Sequence, residues 1–224
     1  MVYDTYVLYI THMPKPSRLS RRRLLVRPLD TLLASGSHIA VLRVLDPTAV
    51  GATGREIARL AGIDPHSALN ALSLLEGSGL VRRRAAGRAN LYALNRAHRL
   101  WKKGISPLLA AERAFSKEIR EAIAARLRRH VVAAAIFGSA ARGEEGPDSD
   151  LDLCLIVALA AQKEAALAAA AELSGEMADE TGLHLSPIAF TIKEFKRMRR
   201  DGNALMTEIV DEAVTIVGRH PKAL

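Results

Sequence analysis

Residues 131–153 read VVAAAIFGSAARGEEGPDSDLDL. Seven apolar residues, Val131 to Phe137, predict a strand that runs into Gly138-Ser139, then a short helix start, a loop and a second strand with Asp150 and Asp152. A glycine at 138 lets backbone approach a phosphate closely, Ser139 offers a hydroxyl, and free N–H groups at the helix start attract anions. Side chains alternate across a strand, so Asp150 and Asp152 project from one face while Leu151 and Leu153 enter the other. Two neighbouring carboxylates repel unless a cation sits between them, and a hard dication such as magnesium, bridged to phosphate oxygens, is the expected one. The structural alternative is an exposed acidic turn.

The same residues resemble the nucleotidyltransferase fold shared by DNA polymerase beta, kanamycin nucleotidyltransferase and the minimal nucleotidyltransferases of prokaryotes. That pattern is a Gly-Ser, a small or basic helix start, then Asp-x-Asp on the next strand with Ser before the first Asp. Here it stands as Gly138-Ser139, Arg142-Gly143 and Ser149-Asp150-Leu151-Asp152, and the resemblance covers about residues 130–220. It implies that Gly138, Ser139 and Arg142 bind a nucleoside triphosphate, and that Asp150 and Asp152 are the catalytic carboxylates holding magnesium. The family places a third carboxylate on a later strand. The later strand here is Leu183 to Phe190, the matching position is Ser186, and no acid is there. A serine is neither an anionic ligand nor a base at neutral pH, and Pro187 removes a ladder donor and points to an edge strand. His184 has the same parity and either substitutes or is a surface or packing residue.

Upstream, the pattern is helical from Ser37, with Ile39, Leu42 and Leu45 on one face and Asp46-Pro47 ending the run. Thr53 and Glu56 form a capping pair opening a second helix with Ile57 and Leu60 inward, closed by Gly62. Asp64-Pro65 opens a third, whose Leu69, Leu72 and Leu75 are expected inward and whose opposite face presents His66, Ser67, Asn70 and Ala71. It stops at Gly77-Ser78-Gly79. Strands Leu80 to Arg84 and Asn90 to Leu94 then make a hairpin across residues 85–89. This order resembles winged helix-turn-helix DNA-binding domains of bacterial and archaeal regulators, which implies a helix in the major groove and a wing on the backbone. His66, Ser67 and Asn70 are then candidates for base edges and Arg82, Arg83, Arg84 and Arg88 for phosphates; the alternative for the arginine run is a solvated surface.

Charge follows the same division. Residues 1–129 hold 23 Lys and Arg against 9 Asp and Glu, a net of +14, so the remainder of a chain with net charge +8 carries −6. A polyanion is drawn to the first half. Residues 14–29 combine three prolines, Lys15 and five arginines, which reads as an extended basic arm or a frayed terminus. A long helix from Ser106-Pro107 to about Arg129, with Leu108, Phe115, Ile119, Ile123 and Leu127 near helical spacing, is the natural connector; its stripe pairs with a second copy in a homodimer or packs on either domain.

With 224 residues, 49% of them hydrophobic, the chain can fill a packed core. A single cysteine, Cys154, excludes an intrachain disulfide framework, and no apolar run approaches a bilayer span of about 20 residues. The N-terminal residues lack the marks of a signal peptide, so a cytoplasmic, membrane-free protein is expected. The fold class is α+β to α/β: a basic flexible arm over 1–29, a winged helix-turn-helix over 30–97, a connecting helix over 98–129 and a mixed sheet with covering helices over 130–220. The expected function is a double-stranded-DNA-binding protein that binds magnesium and a nucleoside triphosphate and transfers a nucleotidyl group to an acceptor hydroxyl. Alternatively, it is a winged-helix transcriptional regulator whose second domain is a degenerate nucleotide sensor or a structural module. A likeness to minimal nucleotidyltransferases that modify a partner protein adds a protein acceptor to the candidates.

Overall fold

The computed structural model describes residues 28–224 except Glu145, Pro147 and Asp148. Most of the basic arm, residues 1–27, lies outside the described residues, and its last residue, Leu29, already opens helix α1 (Leu29–Leu32). The chain divides into two compact units at Ala111/Glu112.

In the first unit, α2 (Gly36–Leu45), α3 (Gly54–Ala61) and α4 (Pro65–Gly77) precede a hairpin of β2 (Val81–Ala86) and β3 (Ala89–Leu94). The caps are the expected ones: the Thr53 hydroxyl accepts from the Glu56 N–H at 3.3 Å, and the Asp64 carboxylate accepts from the Ser67 N–H at 2.9 Å. Gly62 closes α3 at φ +62°, a left-handed conformation that lets the chain turn straight into α4. A two-residue strand, β1 (Ala52–Thr53), pairs antiparallel with β3, so the sheet order is β1-β3-β2. Three helices, a three-stranded sheet and a protruding hairpin make this a winged helix-turn-helix. The hairpin turn is only Gly87-Arg88, tighter than the five residues expected, because pairing runs out to Ala86↔Ala89.

Three expectations about the helix faces fail. Leu69 is 48% and Leu60 53% exposed, whereas Ala71 is buried along with Ala68, Leu72 and Leu75. Steps of three residues fall short of a full turn, so a 69-72-75 stripe drifts around the axis, while 68-72-75 stays on one side. Leu69 instead lies across the start of α3, within 2.8 Å of where a Cβ on Gly54 would be. Trp101 and Ile105, on a wide turn leading into α5 (Ser106–Leu127), are buried in this unit's core with Tyr92 and Leu94.

The second unit is a four-stranded mixed sheet of order β6-β5-β4-β7. Here β4 (Ala133–Phe137) pairs antiparallel with both β5 (Leu151–Val157) and β7 (Val214–Val217), while β6 (Leu185–Thr191) runs parallel to β5. The parallel pair requires a crossover, supplied by α7 (Lys163–Thr181), the alanine-rich helix. Its small residues let it lie close to the sheet, where Ala166, Ala169, Ala170, Leu173 and Met177 pack on Leu153, Leu155 and Val157 together with Ile123 and Leu127 of α5. Arg126 of α5 is tied to Glu176 of α7 at 2.5 Å. The opposite sheet face, Ala135, Phe137, Cys154 and Ile156, is covered by Phe195 of α8 (Ile192–Arg200) and Met206, Ile209 and Val210 of α9 (Ala204–Glu212). The edge position of β6 agrees with Pro187. Burial pushes the Cys154 thiol up to about 12, as befits a small buried side chain. Among the described residues no helix is long and apolar enough to cross a membrane.

Candidate functional site

The turn between β4 and the short helix α6 (Gly138–Arg142) brings the two motif halves together. Asp152 lies opposite Phe137 in the antiparallel register and beside Ser186 in the parallel one. It therefore stands at the end of β4, directly against Gly138. A Cβ on Gly138 would come within 2.5 Å of the Asp152 carboxylate, and Gly138 has φ +70°, so steric room and backbone conformation both demand glycine. The strand alternation is as expected: Leu151 and Leu153 enter the α7 side, and Asp152 is on the side of Cys154 and Ile156. Asp150 is exposed and immediately precedes β5 rather than lying within it. Asp152 titrates above the usual carboxylate range, first because it is partly desolvated, then because Glu208 and Asp150 repel its charge.

Arg142, expected at a phosphate, is engaged by three carboxylates: Glu144 at 2.8 Å, Glu208 at 3.1 Å and Glu212 at 2.6 Å. Its guanidinium is held more firmly protonated than usual, chiefly by the hydrogen bond to Glu144, then by those to Glu212 and Glu208. The sequence reading missed this ring. Its signal was Glu208 and Glu212 at i and i+4, hence on one face of a helix, but nothing local said which cation that face would meet. Ser186 does neighbour Asp152, while His184 is exposed just before β6, its carbonyl accepting the Leu151 N–H at 2.8 Å. Among the described residues no three His, Cys, Asp or Glu side chains gather closely enough to hold a metal by themselves.

In the first unit, His66 and Asn70 are exposed on α4 and joined by a 3.1 Å contact between Asn70 Nδ2 and His66 Nδ1, and Ser67 is half-buried. Arg82, Arg83 and Arg84 are exposed along β2 and Arg88 at its turn. Alternation separates them: Arg83 is on the side of buried Val81 and donates to Glu76 of α4 at 3.1 Å, while Arg82 and Arg84 point to the other side.

Comparison with known proteins agrees with this layout for the second unit. Residues 116–213 match the family model of the nucleotidyltransferase domain. No curated protein matches the chain. Among solved structures, the chain is similar to the AntR antimony-specific transcriptional repressor, at 21% identity and a TM-score of 0.32 over 44% of this chain and 92% of that one. It is similar also to a homodimeric winged helix-turn-helix DNA-binding domain from Mycobacterium bovis, described as a possible ArsR-family transcriptional regulator, at 21% identity and a TM-score of 0.32 over 47% and 92%. The winged-helix assignment itself rests on the element order and strand pairing of the first unit. The chain thus joins a winged helix-turn-helix to a nucleotidyltransferase-type domain.

Proposed function

We propose that the protein binds duplex DNA through α4 and the wing, and binds a magnesium-complexed nucleoside triphosphate at Gly138, Ser139, Asp150 and Asp152, where a nucleotidyl group passes to an acceptor hydroxyl. The contact between Gly138 and Asp152 carries the nucleotide half. A backbone with no side chain faces a carboxylate that is costly to keep charged, an arrangement with no packing benefit of its own. The donor set suits a hard dication: Asp150 and Asp152 offer oxygens only, and a cation would offset the desolvation, and then the repulsion, that raise Asp152. With two protein carboxylates, its other ligands would be phosphate oxygens and water, the manner in which magnesium is commonly held. Bound there, magnesium would neutralise the phosphates and favour departure of pyrophosphate.

The protein's own residues divide the remaining work. Ser139 and the backbone of the β4–α6 turn orient phosphate, and Arg142 braces α6 against α9 through its carboxylates rather than reaching outward. Ser186 cannot take the acceptor's proton as an anionic base, and general-base assistance is worth about 10² to 10⁴ in rate, so transfer is expected to be slow. The same serine favours a second reading, a DNA-bound regulator that senses nucleotide without turning it over. Leu108 and Phe115, exposed one heptad apart on α5, suit pairing with a second copy. The buried thiol and lack of disulfides suit a reducing cytoplasm.

Titration calorimetry with ATP, GTP, CTP and UTP in magnesium tests the site. Binding of at least one nucleotide is expected, falling at least tenfold in Asp150→Ala/Asp152→Ala; no binding, or binding indifferent to that change, refutes it. Labelled nucleotide followed to pyrophosphate and product separates the two readings.

A further inference from the structure

The second unit carries a basic groove that neither reading uses. It is an open cavity of about 800 Å³ lined by the apolar side chains of Ala158, Ile192 and Leu224 and by Lys193, Lys196, Arg199 and Arg200 of α8. Strand register fixes its place. Ala133↔Ile156 and Ala134↔Val217 mark the end of the sheet opposite to Phe137↔Asp152, and Ala158 and Ile192 directly follow the ends of β5 and β6 at that far end. Ala158 lies six steps along the strand from Asp152, roughly 20 Å at the rise of an extended chain. The α8 cations therefore belong to a different place from the triphosphate.

The charge here is concentrated against the trend of its surroundings, since residues 130–224 are net acidic. Lys193, Lys196 and Arg200 recur at i, i+3 and i+7, one helix face, about 10 Å from end to end. Among the described residues Lys193, Lys196 and Arg200 form no ion pair, either with acidic side chains or with the α-carboxylate of Leu224. Glu194 is bound to Lys163 at 2.5 Å and to the Thr191 N–H and hydroxyl, and Asp201 lies beyond the end of α8. Arg199 donates to the Lys222 carbonyl at 3.1 Å, which fixes the groove wall. A row of cations beside apolar side chains matches a strand that repeats a phosphate and carries sugars and bases between. An open concavity of this size admits a single strand, whereas a rigid duplex presents a convex surface. No aromatic side chain lines it, so backbone contact without base preference is what it offers.

We propose that the α8 groove binds the phosphodiester backbone of single-stranded nucleic acid, independently of the wing and of the nucleotide site. The test uses the full chain carrying Arg82→Ala/Arg84→Ala/Arg88→Ala, so that the wing contributes least, and measures anisotropy of labelled oligo-dT across a salt series. Adding Lys193→Gln/Lys196→Gln/Arg200→Gln should weaken binding and flatten the log–log salt slope by about 0.7 for each phosphate no longer neutralised. Arg199 is left in place because it braces the wall. Should the triple change lower the thermal midpoint, Lys196→Glu alone, at an exposed position, serves instead and should still weaken binding. An unchanged slope, complete loss of oligo-dT binding on removing the wing arginines, or equal competition by polyglutamate would each overturn the proposal, the last pointing to an acidic protein partner.

Discussion

Arg84 at the wing and Arg142 at the β4–α6 turn differ in everything but side chain. Arg82, Arg84 and Arg88 project from β2 and its turn with no carboxylate partner among the described residues, whereas Arg142 is enclosed by Glu144, Glu208 and Glu212. An unpaired guanidinium keeps its field and can exchange water for phosphate at little cost. One cation among three carboxylates leaves a cluster that is net negative. After desolvation, Glu208 of that cluster and then Asp150 push the titration of Asp152 upward. Exposure alone would have put both groups in one category; their partners separate them, the wing arginines having no carboxylate among the described residues and Arg142 having three.

Removing the unpaired wing charges should give the largest effect. Arg82→Ala/Arg84→Ala/Arg88→Ala is expected to flatten the salt dependence of duplex binding by about 0.9 for each phosphate the wing ceases to neutralise, up to nearly three in the log–log slope. Arg83→Ala should change it less, because Glu76 already holds that guanidinium. Anisotropy titrations across salt concentrations read both, and an Arg83 effect equal to the others would break the distinction between paired and unpaired arginines.

Arg142 should respond in the opposite sense. If it braces the carboxylates, Arg142→Gln leaves Glu208 unneutralised and moves the titration of Asp152 further up, while Glu208→Gln moves it down. Carboxyl carbon chemical shifts followed against pH measure this directly. Loss of triphosphate binding in Arg142→Gln with no change in the Asp152 titration would show instead that the guanidinium faces phosphate.

The motif halves and the capping residues Thr53 and Asp64 were legible because each is written locally: a periodicity, a cap, a glycine. Ser186 beside Asp152 was legible too, since strand parity and spacing fix a register. The errors lie where the local rule was ambiguous. Three leucines at steps of three mimic an inward stripe, and only the packing of α4 shows Leu69 lying over Gly54. Two of the three carboxylates around Arg142, Glu208 and Glu212, come from α9, some seventy residues on, and their meeting depends on β7 returning to the edge of β4. The place of the α8 cations, at the far end of the sheet from Asp152, follows from strand register and not from any local pattern.

The smallest expected effect concerns two carboxylates shifted in opposite directions within one unit. Asp152 titrates above its ordinary value of 3.8, so the folded protein holds that proton more tightly than the unfolded chain. Its contribution to stability is complete below the unfolded value and is lost as pH rises through the folded one. Asp152→Asn should therefore be slightly more stable than the wild type at neutral pH, by a few degrees in Tm at most, and the gain should shrink as pH falls below about 4. Glu194 is lowered from 4.5 to about 2, first by its hydrogen bond to Lys163, so it stabilises the fold above 4.5 and loses that effect as pH falls toward 2. Glu194→Gln should lower Tm at neutral pH and converge with the wild type in acid. Thermal melts from pH 2 to 7 would show the two variants bracketing the wild type. If Asp152→Asn instead destabilised the protein at neutral pH, Asp152 would be a structural anchor, and the case for a carboxylate kept charged for a cation would lose its physical basis.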